Sequence, residues 1–77
     1  FKQHVRSNTS GTKDMGGIGY EWANLWMAKS IIQKEISTAP TGVAAKSHIY
    51  TEDNGSGKTR LMVIFGTGVA QQIAIEP

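Results

Sequence analysis

Residues 20–37 read YEWANLWMAKSIIQKEIS, eighteen positions without Gly or Pro, and how this stretch folds decides the architecture of the whole chain. Its β-branched residues are three isoleucines near the end, so intrinsic preference allows a helix over residues 20–37. At 100° per residue, Ile18, Trp22, Leu25, Trp26, Ile32 and Ile36 fall on one face. Tyr20, Ala23, Met27 and Ile31 form a second apolar arc beside it, leaving a narrow polar arc of Glu21, Asn24 and Glu35. Lys29 and Gln33 lie within the main apolar face, where Lys29 either lays its methylene stem along the core or meets a buried partner. A helix so apolar needs cover on two sides. Pro40 forbids continuation and, with Gly42, ends the element.

Working outward, the downstream half carries strand patterns. Residues 43–51 alternate Val43, Ala45, Ser47, Ile49 with Ala44, Lys46, His48, Tyr50, which predicts a strand with the first set on the helix and Lys46, His48 and Tyr50 facing away. Residues 60–65, RLMVIF, have no alternation and predict a strand buried on both faces. Between them, Asn54-Gly55 is a hairpin signal because both residue types tolerate positive φ. A turn at Gly66-Thr67-Gly68 precedes a last alternating strand over residues 69–75. Upstream, Phe1, Gln3 and Val5 alternate with Lys2, His4 and Arg6 as a short strand, and residues 7–19 read as a loop. The expected fold is a single α+β domain over residues 1–77: a small antiparallel sheet on one long helix, in β-α-β-β-β order like a split βαβ sandwich, completed by a partner chain or a dimer.

Composition narrows the function classes. The chain has 77 residues, no cysteine and a net charge of +2, so neither disulfides nor thiolate metal sites support it. No apolar run approaches the roughly 20 residues of a membrane-spanning helix. The basic residues are scattered, which argues against nucleic acid as a partner. Gly55-Ser56-Gly57-Lys58-Thr59 resembles the end of a phosphate loop, but Glu52 stands where the motif needs glycine and a strand follows instead of a helix. Gly16-Gly17-Ile18-Gly19 fits a close glycine-rich approach to the next element better than an anion site. His4 and His48 have no metal-ligand spacing, and no serine sits in a nucleophile context. No catalytic, metal or cofactor-binding residue is expected, and the chain reads as a non-enzyme. Asn8 and Asn54 each begin an N-glycosylation sequon.

Gly42-Val43-Ala44 after the helix tail, the Asp53-Asn54-Gly55 turn with Lys58, and the run Met62-Val63-Ile64-Phe65 together resemble the β subunit of the fungal salt-mediated killer toxins. The resemblance implies a secreted toxin whose two chains, cut from one precursor, form one α/β sandwich that disturbs the target cell's membrane. This chain departs from the family in lacking cysteine and in being basic. The leading expectation is therefore a non-enzymatic association domain, one subunit of such a toxin. Its partner would be a second chain of the same precursor or another copy, with a peripheral membrane target. Its partner surface would comprise Tyr20, Trp22, Trp26, Met27 and Ile31 together with Lys46, His48 and Tyr50. The rival expectation is a cytoplasmic or phage-type inhibitor that contacts a protein or nucleic acid through Lys46, His48, Tyr50, Lys58 and Arg60.

Overall fold

The computed structural model describes residues 9–12 and 14–77; the expected first strand over residues 1–6 and the sequon at Asn8 lie outside them. Three strands are present among the described residues: β1 (Ser47–Asp53), β2 (Thr59–Phe65) and β3 (Gln71–Ile75). They form one antiparallel sheet in the order β1-β2-β3, so β2 is central.

The hairpin forms where turn chemistry places it, though by a different device from the one its Asn-Gly pair suggests. Only Gly55 (φ 93°) and Gly57 (φ 87°) take positive φ in the loop, where a side chain would be strained. Asn54 instead lends its side-chain oxygen, which accepts from the amides of Ser56 (2.7 Å) and Lys58 (3.3 Å). Asp53 does the same for the Gly55 amide at 2.7 Å. These Asx turns satisfy backbone donors that a five-residue loop leaves open. Register follows from the loop: Glu52 opposes Arg60, Tyr50 opposes Met62, and His48 opposes Ile64.

That register sets the faces. Directly opposed residues share a face, so Tyr50, Met62 and Ile64 form a small buried cluster against which Ala70 packs. On the other face Val63 is buried beside Ile49, which is exposed. Three consecutive buried residues, Met62, Val63 and Ile64, agree with the strand expected to be covered on both sides. The face expected for β1 is reversed. Tyr50 points to the core and Ile49 does not, because the hairpin register sets Tyr50 opposite Met62, on the face that Ile64 shares. The Glu52 carboxylate closes this face by pairing with Arg60, whose Nε stands 3.0 Å from Oε2.

The long helix is absent. No helix occurs among the described residues, and residues 20–37 are extended or irregular, so the described residues form a three-stranded antiparallel sheet and not a sheet packed on one long helix. The physical reason lies in the segment's own pattern. Apolar residues surround it almost completely, so the spacing carries little periodic information. About half the positions are Trp, Tyr, Ile, Asn or Ser, which are middling helix formers, and helices of this length depend on burying one face. Part of the segment finds another use. The Ile36 amide donates to the Thr51 carbonyl at 2.9 Å, and Glu35 forms a parallel bridge with Thr51. Thr59 Oγ1 also donates to Glu35 Oε2. Residues 35–36 thus cover part of the outer edge of β1.

Candidate association surface

Residues 14–36 run along the sheet without entering a core. A turn closed by the Tyr20 amide on the Gly17 carbonyl (2.9 Å) brings Glu21 back, and its carboxylate accepts from the Gly19 amide at 3.0 Å. Lys46 Nζ stands 3.9 Å from the same oxygen. Hydrogen bonds from its own amide and that of Gly19 hold the Glu21 carboxyl below the ordinary carboxylate range, against an opposing effect of desolvation and with a smaller contribution from the Lys46 charge. Gly16 (φ 85°) lies under the Trp22 indole: a side chain there would come within 3.3 Å of the ring. The result is an open cleft of about 430 Å³ between this turn and the start of β1, with Met15, Ile18, Trp22 and Val43 as walls and Lys46 and His48 at the rim.

The expected partner residues divide into three groups. Trp22, Lys46 and His48 come together at this cleft. Tyr20, Trp26, Met27 and Ile31 are exposed elsewhere along the segment, Trp26 at 88%. Tyr50 is buried, at 5% exposure, and belongs to the core. Its hydroxyl, His48 Nδ1 and Thr51 Oγ1 are sealed from solvent without a hydrogen-bond partner. The cations of the basic face are dispersed and engaged: Arg60 with Glu52, Lys46 beside Glu21, and Lys58 Nζ with the Pro77 carbonyl.

The sequence reading missed part of the apolar surface. Ile49 and Phe65 are exposed on the second sheet face, Val69 is exposed just before β3, and Ile73 is exposed at its centre. Counting back from a five-residue loop at 54–58 would have found the first pair, since it places Ile49 opposite Val63 and Ser47 opposite Phe65. Among the described residues, no group of three or more His, Asp or Glu could hold a metal ion, and no helix is long and apolar enough to cross a membrane. No family model matches the chain, and no curated protein or solved structure matches it either.

Proposed function

We propose that this chain is an association module: its task is to present apolar surface from residues 15–32 to a second protein chain, which completes its core. One observation carries this reading: every residue from 14 to 38 is exposed, although the stretch holds Met15, Ile18, Trp22, Leu25, Trp26 and Ile32. Ile32 at 93% and Trp26 at 88% exposure have no reason to be apolar in a solitary soluble domain.

The killer-toxin resemblance specifies one form of that partner, a second chain cut from the same precursor. In that form Trp22 and Trp26 would be anchors, since buried aromatics dominate interface energetics. Iodide quenching of tryptophan fluorescence tests the module directly. In the isolated chain both indoles are quenched freely and the emission is red-shifted; in the complex purified with its partner from the native source, both become protected. A solitary monomer whose tryptophans resist iodide would overturn the reading.

A further inference from the structure

The outer edge of β1 is met by this chain's own residues 33–36, and the contacts made there share one register. Glu35 bridges Thr51 in parallel, and the Ile36 amide donates to the Thr51 carbonyl at 2.9 Å. Two residues earlier in both segments, Gln33 Nε2 donates to the Ile49 carbonyl at 3.5 Å. In a parallel ladder continued from the bridge, Gln33 stands opposite Ile49 and the Lys34 amide is the donor to that carbonyl. A long side-chain bond therefore occupies the acceptor that the next rung of the ladder would use.

We infer that residues 31–36 are a strap that closes on β1 as a fourth strand, parallel to it, with Gln33 opposite Ile49 and Glu35 opposite Thr51. The costliest rung is already made. A parallel pair needs a long crossover before its first bond, and the Glu35–Thr51 bridge has closed that loop, so each further rung orders only local residues. Composition suits the added strand: Ile31, Ile32 and Ile36 are β-branched, and residues 31–36 contain neither glycine nor proline. Closing sets Ile32, now 93% exposed, opposite His48, on the face that Tyr50, Met62 and Ile64 share. It also changes the character of the edge. Residues 47–51 carry no lysine, arginine or carboxylate, whereas the strap puts Lys34 and Glu35 on the new outer strand, where charge discourages a foreign strand from pairing. The Gln33 side chain is the catch, because it must leave the Ile49 carbonyl before the Lys34 amide can take its place. Trp22 and Trp26 lie outside the strap, so it is tested apart from the partner proposed above.

Amide hydrogen exchange on the full 77-residue chain reads the strap without mutation. In the closed strand the amides of Ile32, Lys34 and Ile36 point at β1 and those of Gln33 and Glu35 point away. The first three should therefore exchange several-fold more slowly than the other two. Gln33→Val releases the catch and should slow exchange at Lys34 further. Because the chain has no cysteine, introduced pairs report the register cleanly. Gln33→Cys with Ile49→Cys should crosslink under mild oxidation, while Gln33→Cys with Thr51→Cys, out of register, should not. Adding Lys34→Pro to the first pair removes the amide donor and should abolish its crosslink, with the strand circular dichroism of the sheet intact. Protection at Ile36 alone, with Lys34 exchanging as fast as Gln33, would overturn the inference, and so would equal crosslinking of the two cysteine pairs.

Discussion

Residues 47–75 and residues 14–42 have similar shares of apolar side chains and opposite fates. In the first region Tyr50, Met62, Val63 and Ile64 are buried; in the second Ile18, Trp22, Leu25, Trp26 and Ile32 are all exposed. The difference is one of local instruction. Turns with glycine at positive φ and Asx side chains fix where β1 ends and β2 begins, and the paired backbone then holds apolar residues face to face. Residues 20–36 have no such turn inside them and no polar stripe to orient them. Hydrophobicity alone supplies a demand for burial, not a geometry in which to meet it.

Truncating one apolar residue in each region gives the largest expected contrast. Met62→Ala removes a side chain 5% exposed at the centre of the core cluster and should cost about 2–5 kcal/mol in urea unfolding followed by far-UV circular dichroism. Trp26→Ala removes a larger side chain that is 88% exposed and should change stability by less than about 0.5 kcal/mol. Equal losses from the two would mean that residues 14–42 share the core after all, and the comparison would collapse.

The same contrast explains what could be read without a structure. The hairpin, the two-sided burial of β2 and the third strand follow from short-range signals: Asn-Gly, an unbroken RLMVIF run and period-two alternation near the end. Those signals act over a few residues, and the structure has little freedom to override them. Which face of β1 is inward was misread, because Ile49 and Tyr50 are both apolar enough for a core and only the hairpin register decides between them. The helix was misread for a deeper reason. A helix of this composition is stabilised by what packs on it, and none of residues 20–37 is buried. The exposure of Tyr20, Trp22, Trp26, Met27 and Ile31, expected to meet a partner, follows from a segment too apolar for one core, but the cleft that joins Trp22 to Lys46 and His48 depends on the turn at 17–20, which no periodicity announces.

Where the two regions meet, the join itself can be tested. Gly42 lies against the turn after β2: a Cβ there would sit 2.3 Å from the Gly66 carbonyl oxygen and 3.1 Å from Thr67 Cα. Both neighbours are main chain, so no side chain can swing away. Gly42→Ala should therefore cost about 1–3 kcal/mol, the range typical of overpacking. Gly17→Ala, which meets nothing within 4 Å and has no positive φ, should stay within about 0.5 kcal/mol of the wild type. Thermal unfolding of the pair separates a true backbone contact between the regions from mere proximity; a neutral Gly42→Ala would show that residues 42 and 66 can part without loss.

The smallest expected effect distinguishes the regions by pH. The Glu21 carboxyl titrates below its ordinary range because amide donors and Lys46 favour its charged form. A depressed value in the folded state means a stabilising contribution that is present above the ordinary carboxylate range and lost as pH falls through the lowered value. Glu21 is exposed, so the loss is confined to the turn it closes. An NMR titration should show the Gly19 amide shifting with that lowered midpoint, and Glu21→Gln should abolish the shift. The amides of residues 60–65 in β2 should not follow, since no hydrogen bond links them to Glu21 and they pair with the neighbouring strands; the Thr59 amide, which donates to Glu76 Oε1 at 2.9 Å, stands outside the comparison. A common midpoint for Gly19 and β2 would instead make the turn and the sheet one cooperative unit, and the division between an ordered hairpin and an unburied apolar arm would have to be given up.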